Sequence, residues 1–185
     1  MRIISGKFKG HRIKSVPNMK TRPTGDKIKE SLFHYIGPYF DGGKGLDLFA
    51  GSGNLGIEAL SRGLDFVIFV DQQYKAVETI KDNLKTLKMR VQYEVYRNDA
   101  FRALKALSKR DIQFQYVFLD PPYKTIDFEK LLLQLDTYQL LENGSLIICE
   151  HAQDEKLPQR VENYKIMKHD CYNSLTCITI YRYEN

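Results

Sequence analysis

No stretch of the 185 residues approaches the ~20 consecutive apolar residues of a membrane-spanning helix. The basic N-terminus is not followed by the apolar stretch of a signal peptide. These two lacks lead us to expect a soluble, cytoplasmic chain with no membrane partner. Cysteine is scarce: Cys149, Cys171 and Cys177 are an odd count with no CxxC spacing. That pattern argues against a zinc site and against a disulfide framework, so no metal is expected. All three lie in apolar stretches, and the expectation is buried packing thiols. His11, His34, His151 and His169 form no ligand motif and read as surface or satisfied core residues. There is no internal repeat, no linker and no second globular pattern. With 43% hydrophobic residues, the length suits one domain with a full core.

Acids are nearly missing from the first 30 residues, which hold only Asp26 and Glu30 against nine Lys or Arg. That segment carries +7 of a net +5, so the remainder sums to −2. A basic attachment on a nearly neutral domain points to a polyanion partner. Charge alone leaves a solvated, mobile terminus equally open. Arg2-Ile3-Ile4-Ser5 and Arg12-Ile13-Lys14-Ser15-Val16 alternate around Gly6 and Gly10. They predict a small β-hairpin with its basic side chains on one face. Thr21-Arg22-Pro23-Thr24 predicts an extended loop, and Thr24 or Gly25 a cap for a helix ending near Ile36. The expected division is a basic extension over 1–24 and a single α/β domain over 25–185.

From Gly45 onward, strand and helix patterns alternate. Strands are expected at 45–49, 66–71, 91–96, 114–119 and 145–149. Helices are expected at 54–62, 74–87, 100–107 and 128–135. An antiparallel pair, 164–169 and 175–183, closes the chain around Tyr172-Asn173. Alternation of this kind implies a mostly parallel, Rossmann-like sheet with helices on both faces. Ligands in such sheets bind at the carboxyl ends of strands. Asp47, Asp71, Asp99 and Asp120 all fall there.

Asp120-Pro121-Pro122-Tyr123 follows a buried strand and makes a poor generic turn. Its prolines donate no backbone hydrogen bond and hold the chain extended. With an acid and an aromatic beside them, outward carbonyls suit a planar ring bearing an exocyclic NH2. Upstream, Asp47-Leu48-Phe49-Ala50-Gly51-Ser52-Gly53-Asn54-Leu55-Gly56 contains G-x-G-x-x-G, with Asp71 where a ribose-binding acid belongs. A dinucleotide site and an S-adenosylmethionine site compete for this pattern. Asp47 favours the second, because it can neutralise an ammonium but would repel a pyrophosphate. Asp99 can accept from an adenine amine, and the tetrapeptide has no part in hydride transfer. The cofactor residues expected are Asp47, Phe49, Ala50, Gly51, Gly53, Asp71, Gln72, Asp99, Ala100 and Asp120.

These residues resemble the class I S-adenosylmethionine-dependent methyltransferases, and the tetrapeptide resembles the (N/D)PP(Y/F) motif of the amino-methylating subset. Three further stretches narrow the match. Arg2-Ile3-Ile4-Ser5-Gly6-Lys7-Phe8-Lys9-Gly10, Thr21-Arg22-Pro23-Thr24 and Glu30-Ser31-Leu32-Phe33 resemble the RsmD family, as does the glycine stretch from Asp47 through Ile57-Glu58-Ala59, and the resemblance covers nearly the whole chain in order. Asn54 stands where a serine or threonine is more familiar, and His34 where an asparagine is. The resemblance implies a seven-stranded class I fold and methylation of a guanine N2 in 16S ribosomal RNA, free or within a partly assembled 30S subunit, by a monomer. It implies Asp120, Pro121, Pro122 and Tyr123 as catalytic residues, and Arg2, Lys7, Lys9, Arg12 and Arg22 as RNA contacts. An adenine-N6 methyltransferase on DNA or RNA and a non-catalytic rRNA-binding assembly factor are the alternatives. A nicotinamide oxidoreductase is the more distant one.

Overall fold

The computed structural model describes residues 1–17, 25–88, 92–172 and 175–185. Arg22 with its loop, Val91 and Asn173 lie outside the described residues. Elements follow in the order α1 (Asp26–Ile36), β1 (Lys44–Asp47), α2 (Asn54–Ser61), β2 (Phe66–Asp71), α3 (Tyr74–Thr86) and β3 (Gln92–Arg97). They continue with α4 (Ala100–Leu107), β4 (Phe114–Leu119), α5 (Phe128–Thr137), β5 (Leu141–Ala152), β6 (Tyr164–Tyr172) and β7 (Thr176–Tyr183). Among the described residues no helix is long and apolar enough to cross a membrane.

One seven-stranded sheet runs β3-β2-β1-β4-β5-β7-β6. Strands β1 to β5 pair in parallel, and β7 pairs antiparallel with both β5 and β6. Alternate residues serve opposite faces. Leu46, Leu48, Ile68 and Val70 pack with α4 and α5, while Val67 and Phe69 pack with α1, α2 and α3. The strand order reverses between β1 and β4, and that reversal opens the crevice in which such sheets bind ligands. Strand β5 is longer than its apolar run predicts. The strand expected at 145–149 extends back through Glu142-Asn143-Gly144, where Gly144 adopts φ 90° and the register against β4 shifts.

The N-terminal extension is docked. Arg2 and Arg12 form a single antiparallel bridge, and Ile3 and Ile13 are buried among residues of α1, α2 and α3. Gly6 lies against α2 at φ 84°, where a Cβ would fall 1.9 Å from the Ser61 carbonyl oxygen. Lys29, counted above with the basic segment, is fully buried. Its ammonium donates to Arg2 O (2.6 Å) and Asn54 Oδ1 (2.8 Å) and pairs with Glu58 Oε2 (3.0 Å). Asn54, unusual by resemblance, therefore has a defined partner.

Cys149 meets the expectation and the other two cysteines depart from it. Cys149 is buried and free, but Cys171 is exposed and forms a disulfide with the buried Cys177. Register explains it: the two residues face each other across β6 and β7, a pairing invisible to CxxC spacing.

Candidate active site

Asp47, at the end of β1, is buried, and its Oδ2 accepts the Gly56 N–H at 3.0 Å. A Cβ at Gly56 would lie 2.3 Å from the Phe69 ring and 3.1 Å from that oxygen, so only glycine permits this approach. Burial pushes the Asp47 pKa up to about 7; the Gly56 hydrogen bond opposes the shift and the Asp71 charge adds to it. Asp71, at the end of β2, accepts Gly51 N–H (2.9 Å) and Gln73 N–H (2.8 Å), one on each oxygen. Each oxygen retains a lone pair for a hydroxyl. Gly53 caps α2 in the left-handed region, and a Cβ on Gly51 would point into open space. Asn83 of α3 holds this loop by donating to Ser52 O (3.0 Å).

Asp99 caps α4, accepting from Arg102 N–H at 3.1 Å. Ala100 is buried, while Gln72 is exposed and Phe49 packs on the core below. The donor set fits S-adenosylmethionine: a carboxylate for an ammonium, a second for a ribose diol and a third at the adenine end.

Asp120 follows β4 and is half-buried. Burial raises its pKa well above the carboxylate range, and the charges of Glu150 and Asp47 raise it further. Glu150, 4% exposed near the end of β5, was not anticipated. The available signal was its position, since it too is an acid ending an apolar strand. Pro121 is buried, and the Pro122 carbonyl accepts from Thr125 N–H (3.3 Å), so it is engaged within its own turn. Tyr123 is 42% exposed, and its hydroxyl is 2.8 Å from Thr176 Oγ1.

The arm follows the length of α2. Met1 Sδ sits 3.8 Å from Ser52 Oγ at the glycine loop, and Phe8 N donates to Ser61 Oγ at the helix's other end. Arg2, Lys7, Lys9 and Arg12 are all exposed. They belong to the arm bonded at both ends of a helix about 12 Å long. Arg2 shares its guanidinium with Asp26 (2.8 Å). Two depressions of about 380 and 470 Å³ lie at the opposite, amino-terminal ends of the strands and hold none of these groups.

Asp47 yields the first prediction. Its folded pKa is raised, so the stability held by the protonated form is lost as pH climbs from about 4 to 7. The ionised form costs about 4 kcal/mol at higher pH. Asp47→Asn is expected to raise stability to denaturant at pH 8 and to weaken cofactor binding at least about tenfold, the scale of a charge-assisted hydrogen bond. Binding at pH 7 should release about half a proton, measured by calorimetry in buffers of different ionisation enthalpy.

The sequence profile of the family described as Conserved hypothetical protein 95 matches residues 1–182. The Bacillus subtilis protein named "Putative rRNA methyltransferase YlbH" is 53% identical over 98% of each chain. Ribosomal RNA small subunit methyltransferase D of Haemophilus influenzae is 36% identical over 100% of this chain and 94% of its own. A solved structure of a Streptococcus pyogenes conserved hypothetical protein superposes with a TM-score of 0.78 at 35% identity, covering 84% of this chain and 95% of that one. With the class I fold and the strand-end acids in place, a match over this length means that the chain belongs to the RsmD family.

Proposed function

We propose that this chain transfers a methyl group from S-adenosylmethionine to the N2 amine of a guanine in 16S ribosomal RNA. The observation that carries the reading is the junction of β1 and β4. There Asp120 stands within electrostatic reach of Asp47 and Glu150, beside an exposed Tyr123. S-adenosylmethionine supplies an electrophilic methyl carbon on a cationic sulfur. Asp47 neutralises the ammonium, Asp71 holds the ribose diol, and Asp99 with Ala100 receives the adenine.

The guanine N2 lone pair is delocalised into the ring, so the amine must be oriented and desolvated. The Asp120 carboxylate and the Pro121 carbonyl accept its two N–H groups and hold the lone pair in line. The buried acids also stabilise positive charge as it grows on nitrogen. Tyr123 offers its ring for stacking, worth about 1–3 kcal/mol for a base on an aromatic side chain, while Thr176 fixes its hydroxyl. The target base enters single-stranded or flipped from its helix.

The test supplies labelled methyl donor with protein-free 16S RNA or with 30S particles, and maps the modified nucleotide. N2-methylguanine is the expected product. N6-methyladenine would transfer the site to the adenine alternative, and binding without turnover to the assembly-factor alternative.

The arm is read as a phosphate track. Deleting it would remove Ile3 and Ile13 and uncover the apolar faces of α1, α2 and α3 they pack on, so charge removal is the cleaner probe. The triple variant Lys7→Ala, Lys9→Ala, Arg12→Ala is expected to lower the slope of log affinity against log salt by about 2, since each single-strand phosphate contact contributes ~0.7. Filter binding across a salt series measures it, and cofactor affinity should not change.

A further inference from the structure

We propose that Cys171 and Cys177 form a reversible thiol–disulfide exchange site for low-molecular-weight disulfides, with His169 as its base and Tyr123 as its point of readout. The coupling to Tyr123 rests on the methyltransferase reading; the sulfur chemistry does not.

The two cysteines are directly opposed on β6 and β7 and joined by a disulfide. Cys171 is exposed and Cys177 is buried, so a reagent from solvent meets Cys171 first and Cys177 resolves. His169 lies two residues before Cys171, on the same face of β6. Its Nε2 is 3.7 Å from Cys171 Sγ.

A chain of hydrogen bonds sets the proton on each ring. His151 Nδ1 lies 2.9 Å from the Ala152 carbonyl, which can only accept, so this nitrogen carries the proton. Burial disfavours the charged form of His151, leaving its Nε2 as an acceptor. That nitrogen is 2.9 Å from Thr179 Oγ1, so the hydroxyl donates to it. The same oxygen then accepts from His169 Nδ1–H at 2.8 Å. His169 Nε2 is therefore left as a bare lone pair facing the sulfur, the arrangement that withdraws a thiol proton.

The chemistry balances with a disulfide RSSR as oxidant. His169 takes the Cys171 proton, and the thiolate attacks one sulfur of RSSR, forming Cys171–S–SR and expelling RS⁻. The Cys177 thiol, losing its proton to that thiolate, attacks Cys171 Sγ. The Cys171–Cys177 bond forms, and the second RS⁻ leaves, taking the proton held by His169 to become RSH. Ribosomal RNA is made where thiols are kept reduced, and disulfides found there are mostly transient or sensing. Thr176 directly precedes Cys177 and contacts the Tyr123 hydroxyl. Tyr172, paired with Thr176, reaches Ser31 Oγ on α1 at 3.0 Å. Opening the bridge frees the hairpin end that anchors the aromatic of the tetrapeptide.

The full chain would be equilibrated in mixtures of reduced and oxidised dithiothreitol, alkylated, and read by peptide mass spectrometry. A single two-electron transition at Cys171 and Cys177 is expected, with Cys149 a thiol throughout. Cys177→Ser should trap glutathione on Cys171 after exposure to glutathione disulfide. His169→Gln should slow that reaction at least tenfold at pH 7. Two thiols at every poise, or an unchanged rate in His169→Gln, would overturn the exchange site. Tight one-to-one zinc uptake by the reduced chain would overturn it in favour of a metal centre formed by His169, Cys171 and Cys177. For the coupling, KM for RNA should differ at least threefold between the two forms at unchanged cofactor affinity, and equal KM values would overturn it. Loss of methyl transfer in both forms counts against the methyltransferase reading and leaves the sulfur chemistry standing.

Discussion

Asp120→Ala is expected to lower methyl transfer by a factor of about 10²–10³, the usual loss when one preorganised electrostatic group is removed. Thermal stability should hold or rise, because the substitution also removes a carboxylate that Glu150 and Asp47 crowd. Single-turnover transfer of labelled methyl to RNA, with cofactor affinity measured separately, would isolate the chemical step. Asp120→Asn then divides the two roles open to this residue. Asparagine keeps a carbonyl acceptor for the amine but is not a base. Retention of most activity would assign orientation to Asp120, and a loss equal to that of alanine would assign proton acceptance. The pH profile supplies a second reading. The carboxylate is the form that accepts the amine, and its pKa is raised, so wild-type turnover should climb as pH rises through that raised value. Asp120→Asn should flatten this limb. An unaltered rate in Asp120→Ala would remove Asp120 from the site.

Glu58→Gln is expected to destabilise the fold by about 3–5 kcal/mol, the penalty for breaking a buried ion pair. The Glu58 carboxylate is fully buried and accepts four donors. Ser5 N–H (3.0 Å) and Arg62 Nε (2.8 Å) reach Oε1, while Ile4 N–H (2.9 Å) and Lys29 Nζ (3.0 Å) reach Oε2. Removing its charge strands two buried cations, Lys29 and Arg62. Burial already pulls the Lys29 pKa below its ordinary value, and Glu58 is the strongest opposing influence. Denaturant titration gives the energy. In a chain of this size, with Tm moving about 2–4 °C per kcal/mol, the melting point should fall on the order of 10 °C. The arm should loosen as well, because Ile4 and Ser5 lose the acceptor that holds them on α2. Limited proteolysis before Gly25 should then accelerate. Lys29→Met is the control: it leaves Glu58 paired with Arg62 and is expected to cost less.

Much of the sheet was legible because its signals are local. The apolar runs at 66–71 and 114–119 are strands with those limits, and Ala100–Leu107 is the helix expected there. Asp71 and Asp120 could be placed at strand ends because each closes or directly follows its apolar run, whereas Asp47 falls inside the expected strand 45–49 and Asp99 comes two residues after β3. Ladder pairing decided what local pattern could not. It carries β5 through Glu142-Asn143-Gly144, and it sets Cys171 against Cys177. Glu58 gave no local signal. A glutamate on a helix usually faces water, and only packing of the arm against α2 surrounds this one with donors.

The sequence by itself determined the order of elements, the strand-end acids, the glycine turn and the basic start, since each depends on neighbours within a few residues along the chain. Only the tertiary structure decided which charges are spent inside the protein. Lys29, counted with the basic start, serves as an internal anchor. Glu150 joins Asp120 and Asp47 because adjacent strands bring their ends together. Tyr123 is tied to a hairpin more than 50 residues downstream. Burial and register fix those assignments, and both arise from contacts far apart in sequence.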